Sequence, residues 1–205
     1  MKLIGLTGGV GMGKSTAAVF FRERGARIVD TDQLARELVQ PGQPALDQIR
    51  AAFGGQIVSS DGQLRRDALA DIVFADATAR KRLERILHPR VRERWLERVE
   101  NWRSENCPVA IVVIPLLYET DAQAHFDKIV CVACSETARH ERLLARGWTR
   151  DQIEGRIAAQ MSATEKIARA DFVIWTEGAT QNHAWQVDCI FNRLVCREAS
   201  SSPQS

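Results

Sequence analysis

The stretch GLTGGVGMGKST, residues 5–16, combines five glycines with a terminal Lys-Ser-Thr. From Gly8 to Ser15 it matches the pattern G-x-x-x-x-G-K-[ST]. Glycines let successive backbone N–H groups turn toward phosphate oxygens, and the start of a following helix adds partial positive charge. In this pattern Lys14 reaches the β- and γ-phosphates, and the Ser15 hydroxyl binds Mg²⁺. The stretch therefore predicts a nucleoside triphosphate site with the binding residues Gly11, Met12, Gly13, Lys14, Ser15 and Thr16.

The surrounding sequence favours this interpretation over a glycine-rich turn that carries a lysine by chance. A strand is predicted before the stretch, and a helix over 13–24, ended by Gly25, after it. Continuous apolar runs without alternation are typical of central parallel strands. The predicted strands are KLIGLT (2–7), ARIVD (26–30), VAIVVIP (109–115), KIVCVAC (128–134) and DFVIW (171–175). With helical segments between them, they predict an α/β fold, a P-loop NTPase-type doubly wound parallel five-stranded sheet.

Two insertions interrupt this alternation. Residues 31–108 carry only helical patterns; in HPRVRERWLERVENW (88–102), Pro89 fits a first helical turn. A second insertion carries two Arg-rich helices joined near Gly147. The predicted organisation is a nucleotide-binding core (1–30, 109–134 and 169–198), a helical substrate-binding insertion (31–108), a helical lid (135–168) and a disordered tail (199–205).

Other triphosphate-binding classes fit less well. GTP-binding switches read guanine through Asn-Lys-x-Asp, and no lysine of this chain follows an asparagine. Motor-type ATPases end a central strand in an acidic residue, whereas AIVVIP (110–115) ends in proline. Acids follow the second strand instead, as Asp30 and Asp32.

The position of these two acids has a mechanistic meaning. Ligands of open α/β sheets collect at the carboxyl ends of the strands, so Asp30 and Asp32 are predicted to face the γ-phosphate opposite Lys14. Alternation along an extended chain would put both carboxylates on one side. One would accept a proton from an attacking hydroxyl, and the other would support Mg²⁺ through water. In the alternative, the pair is solvated and Asp32 caps the next helix. A hydroxyl acceptor implies a kinase.

The second insertion carries arginines suited to a triphosphate. Arg139, Arg142 and Arg146 are spaced three and four residues apart and share a helical face. A lid that presents them would neutralise phosphate charge and exclude water, with Arg142 and Arg146 as the main candidates. In the alternative, this is an exposed charged helix, and its arginines pair with Glu136 and Glu141.

Composition sets the remaining expectations. The net charge of +2 does not favour nucleic acid or an anionic membrane as a partner, and no apolar run approaches the length of a membrane span. We expect a cytoplasmic protein without a signal peptide, a monomer or weak homo-oligomer. Cys131 and Cys134 form a C-x-x-C that is interpreted as two buried, unligated thiols.

Taken together, the motifs resemble the dephospho-CoA kinase family from Leu3 to about Gly178. The resemblance rests on the phosphate loop and on an ordered set of further segments. These are VDTDQLAREL (29–38), PGQPAL (41–46), FGGQI (53–57), DGQLRRDAL (61–69), ILHPRV (86–91), IPLLYE (114–119), RIAAQM (156–161) and ARADFVI (168–174).

The resemblance implies a reaction and roles for individual residues. The family transfers the ATP γ-phosphate to the ribose 3′-hydroxyl of dephospho-CoA, with Mg²⁺, and so completes coenzyme A biosynthesis. Asp32 matches the proposed catalytic base, and residues 135–160 match a lid that carries Arg142. The helical insertion matches the part that holds dephospho-CoA. His88 lies in it, as a substrate contact or as a cap of the Pro89 helix.

Two positions depart from the family pattern. Met12 stands where the family usually has a small residue, often Ser, although only backbone is needed there. Thr176 stands where the family tends to have Asn, so a Thr hydroxyl or a backbone carbonyl would have to meet adenine. Two other functions stay open: a nucleoside monophosphate or other small-hydroxyl kinase, and an ATP-binding regulator with a structural Asp pair.

Overall fold

The computed structural model describes residues 1–196, and the predicted tail 199–205 lies outside them. The five predicted strands are confirmed, the first with the predicted bounds and the other four with slightly trimmed ends. They are β1 (Lys2–Thr7), β2 (Arg27–Asp30), β3 (Val109–Val113), β4 (Lys128–Ala133) and β5 (Phe172–Trp175).

These strands form one sheet in the order β2-β3-β1-β4-β5. β1 lies between β3 and β4, with Ile4 opposite Ile111 and Lys128, and the pairs β1–β3, β1–β4 and β4–β5 are all parallel. The carboxyl ends of parallel strands share one edge of the sheet. The glycine loop after β1, Pro115 after β3 and Thr176 after β5 therefore meet at that edge.

Two compact units divide the described residues, one formed by 1–28 with 101–196 and the other by 29–100. In the first unit, one face of the sheet packs against the first and last helices, α1 (Lys14–Glu23) and α9 (Thr180–Cys196). Phe21 of α1 and Val187 of α9 are fully buried and belong to the hydrophobic core of this unit.

Helix α1 ends where the sequence predicted. Gly25 has φ = +92°, a conformation that favours glycine. Its N–H donates to the Arg22 carbonyl (2.9 Å), and the Ala26 N–H donates to the Phe21 carbonyl (3.1 Å). These are the two hydrogen bonds of a Schellman motif, which satisfies the last carbonyls of the helix and turns the chain into β2.

The second unit is helical, as predicted. It contains α2 (Thr31–Leu38), α3 (Pro44–Phe53), α4 (Arg66–Ala75) and most of α5 (Ala77–Ser104). Its core gathers Val39, Ile49, Ile57 and Leu69.

The position predicted for Pro89 is wrong. Pro89 lies inside the 28-residue helix α5 and not in a first turn. Proline removes one backbone donor from a helix. In the same turn the Arg90 guanidinium donates to the Ile86 carbonyl (2.6 Å), which adds a side-chain hydrogen bond where the backbone ladder is interrupted. The apolar face that follows, with Trp95 and Val99 buried, holds the helix together as one element.

The segment predicted as a lid contains three helices, one more than expected: α6 (Glu136–Leu144), α7 (Arg150–Ala158) and α8 (Ala163–Arg169). Side-chain oxygens of Ser135, Thr149 and Ser162 cap their N-termini. No helix within the described residues is long and apolar enough to span a bilayer.

Candidate active site

The loop between β1 and α1 requires glycine for steric reasons. Gly8 has φ = +142°, and a Cβ there would lie 2.2 Å from the carbonyl oxygen of Val132 on β4. Gly13 has φ = +92° and is the N-cap of α1. Together these glycines let the loop lie against β4 and then turn directly into the helix.

The N-terminus of α1 is arranged to receive an anion. Its N-cap, Gly13, has no side chain, and the first helical hydrogen bond runs from the Ala17 N–H to the Gly13 carbonyl (3.1 Å). The N–H groups before Ala17 have no acceptor within the helix. These N–H groups lie at the positive end of the helix dipole, which is a favourable place for phosphate oxygens to bind. Ser15 and Thr16 are exposed on this same turn.

Lys14 crosses the loop that precedes it. Its Nζ atom donates to the carbonyl oxygens of Gly8 and Gly9, both at 2.9 Å. The ammonium group therefore lies over the glycine loop, within the first turn of α1. Loop, helix end and ammonium group together form a phosphate-binding arrangement.

The lid segment holds the loop from outside. Arg139 of α6, only 5% exposed, donates from Nε to the Val10 carbonyl (3.0 Å). The side-chain oxygen of Gln160 accepts from the Val10 N–H (3.1 Å). Both polar groups of one loop residue are thus bound by residues more than 120 positions away. Burial lowers the pKa of the Arg139 guanidinium group.

Arg142 is anchored to the end of β5. Its Nη1 donates to Thr176 Oγ1 (2.8 Å), and its Nη2 donates to the Thr176 carbonyl. The Thr176 hydroxyl in turn donates to the Met12 carbonyl (3.0 Å). One threonine therefore connects the phosphate loop with the arginine of α6. The alternative of an exposed charged helix fails for Arg139, which is buried, and for Arg142, which is half-buried.

We expect Thr176→Val to lower kcat/KM for ATP about tenfold, because it removes the hydroxyl that links Met12 and Arg142 while keeping the side-chain shape. Thr176→Ser keeps the hydroxyl and should stay within about twofold of the wild type. Steady-state rates with ATP varied would measure this. Equal losses in the two variants would contradict the role given to the hydroxyl.

A cavity of about 300 Å³ lies beside this network, and residues of three elements line it. Gly11, Gly13 and Thr16 come from the loop and α1, Arg142 comes from α6, and Arg146 lies in the turn that follows α6. The start of α9 closes the remaining side with Ala179, Thr180 and His183. The structure thus brings together five of the residues predicted to bind the nucleotide.

A buried ion pair fixes the far end of the lid segment. Lys166 of α8 is fully buried, and its Nζ lies 2.8 Å from Glu119 Oε1 and donates to the Pro115 carbonyl (2.6 Å). The same Glu119 oxygen accepts from the Met161 N–H (2.8 Å). Pro115 also receives a hydrogen bond from Thr7, the last residue before the glycine loop. Lys166 therefore ties α8 to the edge of the sheet that carries the loop.

Lys166→Met should lower the free energy of unfolding by about 3 kcal/mol, since it leaves the carboxylate of Glu119 without its partner. The side chain of Glu119 is 21% exposed, which places the loss at the low end for buried pairs. Lys128→Met is the matched control because its pair with Asp171 is exposed, and it should cost less than about 1 kcal/mol. Urea denaturation of both variants tests this, and similar losses would contradict it.

Asp30 and Asp32 belong to the second unit, and their local geometry corrects two expectations. Helix α2 begins at Thr31, so the two acids do not alternate along an extended chain. Asp30, not Asp32, is the N-cap: its Oδ1 accepts from the N–H groups of Asp32 (2.8 Å) and Gln33 (3.3 Å). Asp32 lies exposed in the first helical turn. Their predicted approach to the γ-phosphate stays a prediction.

His88 also belongs to the second unit. It lies in the interior of α5 with an exposed side chain, so it does not cap a helix. One turn further along, α5 lines a groove of about 210 Å³ together with the start of α3. The charged residues of this groove are Arg90, Glu93, Arg94 and Glu97.

The cysteine pair is buried, as predicted. Cys131 and Cys134 are 1% and 5% exposed, and both are free thiols. Burial raises the pKa of Cys131 to about 11, so this thiol is protonated at neutral pH. Among residues 1–196 no group of three or more His, Cys, Asp or Glu side chains is placed to hold a metal ion.

Comparison with known proteins identifies the lineage of this site. A sequence profile of the dephospho-CoA kinase family matches residues 2–182. The chain belongs to the dephospho-CoA kinase family. The resemblance inferred from the motifs is thereby confirmed.

Individual relatives match nearly the whole chain. The dephospho-CoA kinase of Anaeromyxobacter dehalogenans is 44% identical over 189 residues, covering 92% of this chain and 90% of the relative. That of Moorella thermoacetica is 46% identical over 195 residues, covering 91% and 92%. The crystal structure of TT1252 from Thermus thermophilus matches with a TM-score of 0.81 and 31% identity, covering 94% of this chain and 97% of the other.

The two departures from the dephospho-CoA kinase pattern are adjacent in the structure. Met12 is buried, and its sulfur accepts a hydrogen bond from the Gly9 N–H (3.2 Å). The Met12 carbonyl accepts a hydrogen bond from the Thr176 hydroxyl. The long side chain at position 12 thus fits because its sulfur accepts a hydrogen bond inside the loop. The Thr176 hydroxyl binds the backbone carbonyl of the same residue.

Several residues of this dephospho-CoA kinase site escape sequence reasoning. Gln160, Lys166 and Glu119 carry no spacing that announces their contacts with the loop edge, although Gln160 and Glu119 lie within quoted family motifs. His183 is a lone histidine in a helix. The scarcity of lysine in this chain, with only five lysines among 28 basic residues, is the one weak signal in the sequence for Lys166.

Proposed function

We propose that this chain is a dephospho-CoA kinase, which transfers the γ-phosphate of ATP to the ribose 3′-hydroxyl of dephospho-CoA and yields CoA and ADP. The observation that carries the proposal is the convergence of the glycine loop, the α1 N-terminus, Arg142 and Arg146 on one cavity, in a chain of this family. In the cell, this reaction is the last step of coenzyme A biosynthesis.

The triphosphate binds to the loop. N–H groups at the start of α1 and the Lys14 ammonium group bind phosphate oxygens, because both present positive charge at the same place. Arg142 of α6 and Arg146 of the turn that follows it line the cavity and counter the charge on the transferred phosphoryl group. Arg142 is held in place by Thr176 before substrate arrives, so little reorganisation is required during transfer.

The exposed Ser15 hydroxyl fits a magnesium ion. Mg²⁺ is usually held by one or two protein oxygens together with substrate phosphates, which is what a single hydroxyl beside a phosphate loop offers. The bound ion would neutralise charge on the β- and γ-phosphates. Ser15 then serves as its protein ligand and orients the triphosphate along α1.

Asp32 serves as the general base. Asp30 caps α2, and Asp32 is an exposed residue in the first turn of that helix. In this role Asp32 accepts the proton of the ribose 3′-hydroxyl while that oxygen attacks the γ-phosphorus.

The second unit supplies the acceptor site. The groove between α3 and α5 carries Arg90 and Arg94 beside Glu93 and Glu97, and its two guanidinium groups suit the anionic groups of dephospho-CoA. His88 lies on the same helix and is a candidate substrate contact. Residues 135–168 act as the lid, anchored at α6 by buried Leu143 and at α8 by buried Lys166.

The enzyme is proposed to work in the cytoplasm, as a monomer or weak homo-oligomer, with no membrane or nucleic acid as partner. The small net charge of +2 supports the part of this proposal that concerns nucleic acid and anionic membranes.

An acceptor panel tests the assignment. Rates of ADP formation from ATP–Mg²⁺ are compared with dephospho-CoA, AMP, adenosine or no acceptor. The proposal predicts that kcat/KM is highest for dephospho-CoA. Preference for AMP would keep the kinase chemistry and replace the acceptor with a nucleoside monophosphate.

A further inference from the structure

The polar groups of Thr176 are already engaged. Its hydroxyl donates to the Met12 carbonyl and accepts from Arg142, and its own carbonyl accepts a second bond from Arg142. The residue is 8% exposed. The position at which the family tends to have Asn is therefore occupied by a structural contact, and recognition of the base requires another side chain.

His183 is a buried side chain of the cavity lining, and within residues 1–196 one of its ring nitrogens has no hydrogen-bond partner. It lies in the first turns of α9 and is 6% exposed, and its Nε2 atom has no hydrogen-bond partner among the residues that the structure describes. Buried polar atoms without a partner are rare because each costs free energy. The ring is held edge-on against Phe20, with centroids 5.2 Å apart and planes at 87°. This packing fixes the imidazole in position.

The charge state of His183 suits a neutral ligand group. Burial, and then the positive charge of Arg142, lower its pKa, so the imidazole is uncharged at neutral pH. A neutral imidazole offers one acceptor and one donor nitrogen. Such a group pairs with the edge of a nucleobase and has no particular preference for a phosphate.

The cavity lining runs from the phosphate loop to the start of α9. With the triphosphate on Gly11, Gly13 and Thr16, the remainder of the nucleotide extends along the cavity toward Ala179 and His183. We propose that His183 Nε2 forms a hydrogen bond with the edge of the adenine base of ATP, so that α9 and not Thr176 reads the base in this chain. The inference rests on the proposed function, because it takes ATP as the ligand of this cavity.

The test compares a nucleotide with a ligand that lacks a base. Affinities of ATP and of inorganic tripolyphosphate are measured by titration calorimetry for the wild type, His183→Leu and His183→Gln. We expect His183→Leu to weaken ATP about tenfold and leave tripolyphosphate unchanged, because one hydrogen bond to the base is lost. His183→Gln keeps a hydrogen-bonding group and should recover part of the ATP affinity.

Thermal unfolding without ligand supplies a second measurement. Removal of an unpartnered buried polar atom should leave the melting temperature of His183→Leu equal to or above that of the wild type. ATP affinity equal to the wild type, or equal weakening of ATP and tripolyphosphate, would overturn the inference. No acceptor is present in this experiment. A wild type that binds ATP but does not phosphorylate dephospho-CoA would refute the proposed function and leave the result on His183 intact.

Discussion

Replacing Asp32 with Asn is expected to lower kcat about 10²–10⁴-fold, because the variant loses the carboxylate that accepts the proton of the attacking hydroxyl. KM for ATP should change little, since the phosphate loop is untouched. Asn has nearly the shape of Asp, and Asp32 is exposed in the first turn of α2, so the fold should be retained. Initial rates at saturating ATP and dephospho-CoA measure the effect.

Two companion variants isolate the role of Asp32. Asp47→Asn removes an exposed acid from the first turn of the neighbouring helix α3 and controls for charge and helix-dipole effects. Asp30→Asn keeps a good N-cap, because Asn caps helices about as well as Asp. A loss below about tenfold in Asp32→Asn would refute general-base catalysis by this residue. A loss in Asp30→Asn as large as that in Asp32→Asn would remove the distinction made between them.

Replacing Lys14 with Met should lower kcat/KM for ATP about 10²–10³-fold, the usual cost of removing one preorganised donor from a developing charge. Lys14 also donates to the Gly8 and Gly9 carbonyls, so part of the loss reflects a loosened loop. Lys14→Arg should not restore activity, because the larger, planar guanidinium group cannot take the place of a compact ammonium group 2.9 Å from the Gly8 and Gly9 carbonyl oxygens. Rates over a range of ATP concentrations measure both variants.

Lys81→Met is the control for Lys14→Met. Lys81 is an exposed lysine on α5, and its loss should change kcat/KM less than about twofold. Comparable losses at positions 14 and 81 would show that net charge, and not the phosphate-loop lysine, sets the rate.

The fold was largely predictable because its signals are local. VAIVVIP and KIVCVAC are continuous apolar runs, and their burial on both faces of the sheet produces that pattern directly. Gly25 requires positive φ, so the end of α1 could be placed from one residue. Pro89 misled because the burial of Trp95 and Val99 outweighs the local cost of a proline.

The site was predictable only where its chemistry is confined to one motif. Lys14 and Ser15 are fixed by the loop itself. Arg139 was expected to face a ligand, yet it is buried against the Val10 carbonyl. That contact joins residues 129 positions apart, and such pairs leave no periodicity in a sequence. For the same reason the partners of Thr176 became visible only in the structure.

The phosphorus balance of one reaction mixture tests the central claim most directly. The protein is incubated with ATP–Mg²⁺ and dephospho-CoA, and the products are followed by ³¹P NMR. The account predicts equal amounts of ADP and of a new phosphomonoester on the ribose 3′ position, with no inorganic phosphate. Inorganic phosphate released at the same rate with and without acceptor would mean hydrolysis and would contradict the account.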